Sequence, residues 1–296
     1  MKYAVIGAAG QLGRDLCPLL QGEVVKLGRP EADLLKPDAL DQLLTSLNPD
    51  VVINCAAYNF VDKAETEPGA AFDVNCWGVR SLARTCTRIN STLVHFSTDY
   101  VFGARRDHNS AYRQVDLPGP ISVYGMSKLA GEHAVQAECE KHFIIRTCGL
   151  YGVWGSGGKG TNFVETMLKL AARGVPIRVV SDQRCTPSCT VDVAAATIAL
   201  IATGKYGLYH VTNAGSTNWC DFAQAIFNMS NLKIKVIPIT SAEYGAPARR
   251  PHYSVLDNGL ISGSAGVSAP RAWKHALRSY LDQRKNKDQP VEKQDE

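Results

Sequence analysis

The sequence predicts an α/β fold in which helices cover both faces of a doubly wound parallel sheet, with a smaller C-terminal α/β lobe that binds the substrate. Short apolar stretches alternate with helical stretches, beginning with Tyr3-Ala-Val-Ile6, and this alternation is typical of βαβ units. The first apolar stretch leads directly into a glycine-rich turn over residues 7–13. The length of 296 residues allows one large unit and an additional lobe.

Composition excludes several classes of protein. Hydrophobic residues make up 45% and charged residues 20% of the chain, as in ordinary globular proteins. A net charge of +4 without a basic run suits a small anionic ligand and predicts no nucleic-acid partner. Nine scattered cysteines favour a reducing, cytoplasmic location, and Cys185 and Cys189 lack companions at metal-ligand spacing, so no metal is predicted. The sequence shows no signal peptide and no apolar run of about 20 residues, so we expect no membrane contact.

The glycine-rich turn has the features of a dinucleotide-binding site. Gly7 permits a tight turn after the first strand, Gly10 lets phosphates approach the backbone, and Gly13 lets the following helix, over residues 14–20, pack closely on the strand. A pyrophosphate would meet the positive end of that helix. We therefore predict a Rossmann-type domain in which Gly7, Gly10, Gln11, Leu12 and Gly13 contact the cofactor.

The end of the second predicted strand, residues 24–27, bears on the choice of cofactor. An acidic residue usually follows this strand and accepts hydrogen bonds from the adenosine ribose of NAD. Here Gly28 and Arg29 follow it, and an arginine can pair with the 2′-phosphate of NADP. The sequence favours NADPH, while Glu31 and Asp33 are close enough to leave NADH open.

Small residues follow the third predicted strand, residues 50–54, which comes after a helix over residues 38–47. They suit a backbone lying against a flat cofactor, because ligands of open α/β sheets gather at the carboxyl ends of the strands. A long helix over residues 72–90 comes next. The cofactor contacts expected in this part of the chain are Ala56, Ala57, Tyr58 and Asn75.

Tyr124 and Lys128 are four residues apart in a helix predicted from Val123 to about Ala137, so both side chains lie on one face. Alone, this pair is far more typical of a tyrosine packed on a lysine stem than of a catalytic pair. A fourth predicted strand, residues 93–96, ends in Ser97 and Thr98. Together these groups fit carbonyl reduction: a hydroxyl holds the carbonyl, the tyrosine gives a proton, and the lysine lowers the pKa of the tyrosine and holds the cofactor ribose.

The second half of the chain alternates in the same way. Helices are predicted over residues 162–172, 190–202 and 218–228, and strands over 177–180, 207–211 and 233–239. We assign residues 1–146 and about 177–204 to the cofactor domain, and 147–176 with 205–281 to the substrate-binding lobe. Residues 282–296 are rich in charge and predict a disordered tail. Arg249 and Arg250 precede a proline in an irregular loop, where they suit a diphosphate or form a solvated basic loop.

These motifs resemble those of the dTDP-4-dehydrorhamnose reductase family, in the extended short-chain dehydrogenase/reductase superfamily, from Met1 to about Leu281. The matching stretches are Gly-Gln-Leu-Gly at 10–13, Val-Asp-Lys-Ala-Glu at 61–65, Ser-Thr-Asp-Tyr-Val-Phe at 97–102, Tyr-Gly-Met-Ser-Lys-Leu-Ala-Gly-Glu at 124–132, Asn162-Phe163, Asp182-Gln183, Trp219 and Ala248-Arg-Arg-Pro251. Together they are far more specific than a single glycine motif.

The resemblance implies NADPH-dependent reduction of the C4 ketone of dTDP-6-deoxy-L-lyxo-4-hexulose to dTDP-L-rhamnose. It implies Thr98, Tyr124 and Lys128 as catalytic residues, of which Tyr124 and Lys128, with Ser97, also contact the cofactor. The substrate-binding residues that it implies are Val61, Asp62, Lys63, Asn162, Arg249 and Arg250. Two alternatives stay open, namely a reductase or epimerase of another nucleotide sugar and a non-catalytic, NADP-binding regulatory subunit.

Three features depart from the family pattern. Gly149 stands where the family commonly has a tryptophan over the sugar, which leaves room for a different or bulkier sugar. Some members form homodimers through magnesium held by glutamates; Asp15 replaces one of these and Val191 another, so a homodimer is open but that metal is not predicted. The segment 153–161 is unusually rich in glycine, and we predict a mobile loop that closes over the sugar.

Overall fold

The computed structural model describes residues 1–155, 160–263 and 267–288, with side chains up to residue 285. Its strands are β1 (Lys2–Ile6), β2 (Glu23–Leu27), β3 (Val51–Asn54), β4 (Thr92–Thr98), β5 (His142–Thr147), β6 (Leu150–Tyr151), β7 (Ile177–Val180), β8 (Arg184–Cys185), β9 (Ser188–Cys189), β10 (Gly207–His210), β11 (Thr217–Asn218) and β12 (Val236–Ile239). Its α-helices are α1 (Gln11–Leu16), α2 (Pro37–Leu47), α3 (Val61–Ala64), α4 (Pro68–Phe72), α5 (Val79–Arg88), α6 (Val123–Glu138), α7 (Phe163–Ala171), α8 (Thr190–Ala202), α9 (Trp219–Met229), α10 (Ser241–Tyr244), α11 (Gly259–Gly263) and α12 (Trp273–Asp288).

Six parallel strands form the main sheet, in the order β10-β5-β4-β3-β1-β2. From β1 the chain adds β2 on one side and β3 on the other, so the winding direction reverses between β1 and β3. Ligands of doubly wound sheets bind at such a switch point, outside the carboxyl ends of the strands. The predicted fold class is confirmed, and the topology places the glycine turn at the switch point.

Alternate side chains of the central strands enter two separate cores, one on each face of the sheet. Val5 and Ile53 pack with residues of α1 and α8 on one face. Ala4 and Val52 pack with residues of α2, α5 and α6 on the other. When a sheet is covered on both faces, each of its central strands is a continuous run of apolar residues in the sequence. This is why these strands could be predicted.

Residues 68–88 are helical throughout but not uniformly α-helical. A π-helical turn, Asp73–Gly78, separates α4 from α5, within the stretch predicted as one long helix. Gly78 allows this turn to lie close to the backbone of Leu34, because a Cβ at Gly78 would be 2.6 Å from that carbonyl oxygen. π-Turns within helices are frequent at functional sites, and this one carries Asn75.

Strand pairing corrects the predicted domain boundaries at two places. β7 was assigned to the cofactor domain, but it pairs with β12 and packs in a core with α7, α9 and α12. β10 was assigned to the substrate lobe, but it pairs with β5 at the edge of the main sheet. Both assignments followed chain order, whereas the partners lie 59 and 64 residues apart in the aligned pairs Ile177–Val236 and Phe143–Gly207.

The C-terminal tail prediction is wrong for residues 282–288, which continue α12. Arg284 donates to the carboxylate of Glu165 at 2.7 Å, as does the hydroxyl of Tyr280 at 2.6 Å. Lysine, arginine and glutamine also have high helix propensity, so the helix extends past its last apolar residue. Residues 289–296 lie outside the described part of the chain.

Candidate active site

A cleft of about 760 Å³ opens at the carboxyl edge of the main sheet. Most of the predicted cofactor-binding residues line it, namely Gly7, Gly10, Gln11, Leu12, Arg29, Asp33, Ala56, Ala57, Tyr58, Ser97, Tyr124 and Lys128. Thr98, Val61 and Asn162 also line this cleft. Gly13 and Asn75 do not, and the structure gives each of them a different task.

At two positions of the glycine turn, Gly7 and Gly13, the structure leaves no room for a larger residue. Gly7 has φ +76°, a conformation that side chains rarely adopt, and a Cβ there would lie 3.0 Å from the backbone nitrogen of Ala56. A Cβ at Gly13 would lie 2.6 Å from the carbonyl oxygen of Gly7. Gly13 therefore brings α1 against the turn without facing the cleft. A flat, open groove next to the start of a helix fits a dinucleotide.

The residues that follow β2 line the end of the cleft that would distinguish NADPH from NADH. Arg29 is exposed there, so its guanidinium can reach a phosphate. One carboxylate oxygen of Asp33 accepts from the backbone N–H of Leu35 at 3.0 Å, which engages Asp33 in the local turn. This arrangement fits the 2′-phosphate of NADPH better than the bare ribose of NADH.

Asn75 lies behind the cleft. Its side chain is fully buried and exchanges two hydrogen bonds of 2.9 Å with the backbone of Tyr58. Its amide also donates to the hydroxyl of Ser127 in α6 at 3.0 Å. Asn75 thus connects the segment after β3 to the helix that carries Tyr124. It was predicted to contact the cofactor, but in the structure it supports the cleft from behind without lining it.

Thr98 ends β4, and Tyr124 and Lys128 occupy the first two turns of α6. The Ser122 hydroxyl accepts from the backbone N–H of Gly125 at 3.1 Å and caps this helix. Gly125 also lets α6 begin close to the strand end, because a Cβ there would lie 2.3 Å from the carbonyl oxygen of Tyr100. All three proposed catalytic residues line the same cleft.

The titration behaviour of the tyrosine differs from the prediction. Burial raises the pKa of Tyr124 to about 12, partly offset by a hydrogen bond with Thr98. Lys128 is not among the groups that shift this pKa; its Nζ donates to the carbonyl oxygen of Phe96 at 2.7 Å and lies 3.2 Å from Nε2 of His95. In this structure Lys128 therefore acts on the backbone and the histidine, and Tyr124 is a protonated acid at neutral pH.

A buried ion pair joins α6 to β5 next to the cleft. Arg146 of β5 makes two hydrogen bonds with the carboxylate of Glu132, at 2.8 and 2.6 Å, and both side chains are 2% exposed. The hydroxyl of Ser97 donates to the same carboxylate, so Ser97 lines the cleft while its hydroxyl faces inward. The guanidinium of Arg146 also lies over the ring of Phe102 at 5.1 Å.

Asp99 is a buried acid at the site that sequence reasoning missed. Its carboxylate accepts from Thr98 at 3.2 Å, from the thiol of Cys148 at 3.1 Å and from the hydroxyl of Ser254 at 2.6 Å. Burial raises the pKa of this carboxyl. Asp99 thus fixes the hydroxyl of Thr98 and ties it to a loop of the second half of the chain. The only available signal was its place directly after Thr98.

A second cavity of about 640 Å³ adjoins the cleft, and Val61, Phe60, Tyr100, Phe163 and Trp219 line both. Asp62, Lys63 and Arg250, all predicted to bind substrate, line the second cavity. Arg178, which the sequence did not single out, joins them. An apolar and aromatic lining with a few cationic side chains fits a nucleotide diphosphate.

The predicted substrate-binding residues adopt three kinds of environment. Arg250 pairs with Asp62 through two hydrogen bonds of 3.0 and 2.9 Å, and Lys63 pairs with Glu67 at 3.0 Å. Arg249 is exposed and lines neither cavity, so the structure does not place it with the others. The paired guanidinium is the one that faces the cavity.

Asn162 lines the cleft but is 7% exposed and makes several contacts within the protein. Its side-chain oxygen Oδ1 accepts from the N–H of Glu165 at 3.0 Å, which caps α7. Its amide donates to Gly152 at 2.9 Å and to Gln11 at 3.2 Å. Asn162 therefore connects α7 with the glycine turn.

Gly149 has φ +52°, and a Cβ there would lie 3.0 Å from the indole ring of Trp219. The side chain of Trp219 thus occupies space next to the glycine, and an aromatic wall is supplied from α9. The four central residues of the predicted loop, 156–159, lie outside the described part of the chain.

Asp15, which stands where some family members have a glutamate, accepts from the indole N–H of Trp154 at 2.8 Å and from the hydroxyl of Thr190.

Within the described ranges, no group of three or more histidine, cysteine or acidic side chains could hold a metal ion. The same part of the chain contains no helix long and apolar enough to span a bilayer. All nine cysteines are free thiols.

Known proteins match the chain over nearly its whole length. The family model described as RmlD substrate binding domain matches residues 1–286. The spore coat polysaccharide biosynthesis protein SpsK of Bacillus subtilis (strain 168) is 40% identical over 286 residues, covering 96% of this chain and 98% of that protein. A dTDP-4-dehydrorhamnose reductase of Aggregatibacter actinomycetemcomitans is 38% identical over 294 residues, covering 94% and 97%. The solved structure of dTDP-4-dehydrorhamnose reductase from Bacillus anthracis str. Ames in complex with NADP has a TM-score of 0.90 at 35% identity, covering 95% of this chain and 99% of that one.

A doubly wound sheet with a glycine turn after β1, and with a threonine, a tyrosine and a lysine in one cleft, defines a reductase of the extended short-chain dehydrogenase/reductase class. The matches then define the group within this class. The chain belongs to the RmlD substrate binding domain family, and the resemblance predicted from the sequence is confirmed.

Proposed function

We propose that the protein reduces the C4 ketone of dTDP-6-deoxy-L-lyxo-4-hexulose to dTDP-L-rhamnose with NADPH. The observation that carries this proposal is that Thr98, Tyr124 and Lys128 line one cleft, next to a second cavity with cationic side chains. The relative from Aggregatibacter is named for this reductase activity, and the solved relative binds NADP. Both support the assignment.

The proposed chemistry follows from the environment of each side chain. The glycine turn and Lys128 would hold NADPH in this cleft, where it would supply a hydride to the ketone carbon. Tyr124, with a pKa raised to about 12 by burial, keeps its proton at neutral pH and gives it to the ketone oxygen as negative charge develops there. Thr98 gives its one hydroxyl proton to Asp99 in this structure, and it would turn that proton to the same ketone oxygen when the substrate is bound. Lys128 holds the cofactor ribose.

The adjoining cavity suits the nucleotide part of the substrate. The Arg250 guanidinium is about four-fifths buried, with its side chain 18% exposed, and Asp62 keeps it in a fixed orientation. Such a group binds phosphate oxygens at a low entropic cost. Phe60 and Tyr244 add flat surface for a base. This arrangement supports a nucleoside diphosphate-linked sugar as the substrate class.

A related nucleotide sugar is the second candidate, and Gly149 favours it. The family's tryptophan is absent at this position, although Trp219 lies against the glycine. A reductase of another nucleotide sugar would keep the reaction type and the proposed catalytic residues, whereas an epimerase would keep the fold and the cofactor site but catalyse no net reduction. A non-catalytic regulatory subunit is the third candidate. In such a subunit the threonine, tyrosine and lysine of the cleft would have no catalytic task.

We place the protein in the cytoplasm, where nucleotide sugars are made and where free cysteines such as these persist. The only ligands that we propose are the cofactor and the nucleotide sugar. A homodimer is compatible with this function, and gel filtration coupled to light scattering would establish it.

The function is tested by following NADPH absorbance while the protein acts on dTDP-4-keto-6-deoxyglucose with the matching 3,5-epimerase. We expect oxidation that requires the epimerase, yields dTDP-rhamnose and is faster with NADPH than with NADH, because of Arg29. Cofactor binding without consumption would overturn the assignment. A screen of other keto-sugar nucleotides, followed by a search for a stoichiometric partner enzyme, would then separate the two alternatives.

Arg250→Ala should raise the KM for the nucleotide sugar about 10- to 100-fold, the effect of losing a charge-assisted hydrogen bond, while kcat changes little. Arg249→Ala is the matched control, because this neighbouring arginine is exposed and lines neither cavity. Steady-state kinetics with varied sugar concentration measures both. Equal losses in the two variants would show that the loop acts only through its overall charge.

A further inference from the structure

A third cavity, of about 410 Å³, lies between the glycine turn, α1 and the end of β2. Gly28 lines both this cavity and the cleft, so the two spaces adjoin. Arg14 of α1 and Lys26 of β2 also line the cavity, and among the residues that the structure describes no acidic side chain does. The mechanism above assigns no task to either cation. Two cationic side chains without a carboxylate make this cavity suitable for an anion.

The backbone relates this cavity to the cofactor. In Rossmann-type folds the adenosine ribose binds beyond the carboxyl end of the second strand, and Gly28 is the first residue after β2. The N–H groups of Gly7 and Ala8 both donate to the carbonyl oxygen of Leu27, at 2.9 and 3.2 Å, which fastens the glycine turn to this strand end. A Cβ added at Gly28 would meet no atom within 4 Å. There is therefore open space beside the strand end at which the ribose is expected.

The guanidinium of Arg14 is oriented by two contacts. Its Nε donates to the carbonyl oxygen of Ala9 at 2.9 Å, and its central carbon lies 5.3 Å from the ring centre of Trp154. The indole N–H of Trp154 donates in turn to Asp15 at 2.8 Å. Within the described residues, the terminal nitrogens Nη1 and Nη2 of Arg14 make no hydrogen bond. A guanidinium held in this way keeps a pair of N–H donors for an anion and loses little entropy when it binds one.

We propose that Arg14 binds the 2′-phosphate of NADPH, with Lys26 as an additional cation, and so contributes to the preference for NADPH over NADH. This inference rests on the proposed function, whose cofactor it concerns. The sequence assigned the 2′-phosphate to Arg29, which lines the cleft but not this cavity. A phosphate beside Gly28, where the two spaces meet, can pair with both arginines.

Arg14 should discriminate by strengthening the binding of NADPH, without weakening that of NADH. Its side chain is exposed, so water solvates the guanidinium when no phosphate is present, and NADH leaves no buried charge unpaired. A purely structural role is the alternative, in which Arg14 and Trp154 only fasten the segment after β6 to α1. Such a role would affect the binding of both dinucleotides equally, or of neither.

The test compares the dissociation constants of NADPH and NADH, measured by cofactor fluorescence without any sugar. Arg14→Gln should raise the Kd for NADPH about 10- to 100-fold, the effect of losing a hydrogen bond between charged groups. The Kd for NADH should change less than about twofold, which also shows that the variant is folded. Arg14→Lys keeps the charge but loses the planar fork and its contact with Ala9, so we expect an intermediate increase.

Arg80→Gln is the matched control. Arg80 is an exposed arginine that pairs with Glu138 at 2.7 Å and lines none of the three cavities, so both dissociation constants should be unchanged. Equal weakening of the two dinucleotides in Arg14→Gln would overturn the proposal, and so would unchanged binding of both. An unmodified protein that binds NADPH but reduces no keto-sugar would contradict the proposed function alone, because neither dissociation constant depends on turnover.

Discussion

Tyr124→Phe should lower kcat for ketone reduction about 10²- to 10⁴-fold, the usual contribution of a positioned general acid. This corresponds to roughly 3–5 kcal/mol of transition-state stabilisation. The ring of Tyr124 packs edge-on against Tyr100 at 5.9 Å, and phenylalanine preserves that contact. The substitution therefore removes one hydroxyl group, and with it the proton that the ketone oxygen requires, while the cleft keeps its shape.

The design separates chemistry from binding. NADPH binding, measured by fluorescence, should remain near normal in Tyr124→Phe, while single-turnover reduction slows. Tyr112→Phe is the matched control, because Tyr112 is a buried tyrosine stacked on Phe102 and lies outside both cavities. Its turnover should be unchanged. Near-normal kcat in Tyr124→Phe would assign the proton donor to another group.

The three proposed catalytic residues, which line one cleft, could be predicted because their signals are local. Tyr124 and Lys128 share a helix face through their spacing, and Thr98 follows an apolar strand. The helix predicted from Val123 to about Ala137 is observed as α6, ending at Glu138. The central strands were equally predictable, since a sheet buried on both faces gives continuous apolar runs.

The supporting polar groups could not be predicted, because their partners are distant in the chain. Asp99 meets Ser254, and Asn54 meets His95; neither spacing has a local signature. The same reason accounts for the misplaced β7 and β10, whose partners are set by tertiary pairing. The sequence also could not show that burial raises the pKa of Tyr124, or that Nζ of Lys128 lies next to the carbonyl oxygen of Phe96 and the ring of His95.

Glu132→Leu should destabilise the protein by about 3–5 kcal/mol, because it leaves the guanidinium of Arg146 buried without its partner. The ion pair is 2% exposed on both sides, and Ser97 would lose its acceptor as well. Urea unfolding with an unchanged m-value would measure the loss. Glu23→Gln is the control, since it breaks a surface pair with Lys2 whose side chains are 63% and 31% exposed, and such pairs contribute about 0–1 kcal/mol.

The double variant Glu132→Leu/Arg146→Leu distinguishes a buried charge from lost packing. Removing both charges eliminates the uncompensated guanidinium, so the double variant should be more stable than Glu132→Leu alone, despite two substitutions. If the losses simply add, the pair stabilises the fold through shape and not through charge. The pair also connects stability with catalysis, because Glu132 raises the pKa of Lys128. In Glu132→Leu that pKa should fall below about 8, and the lysine should lose its proton at a lower pH than in the unmodified protein.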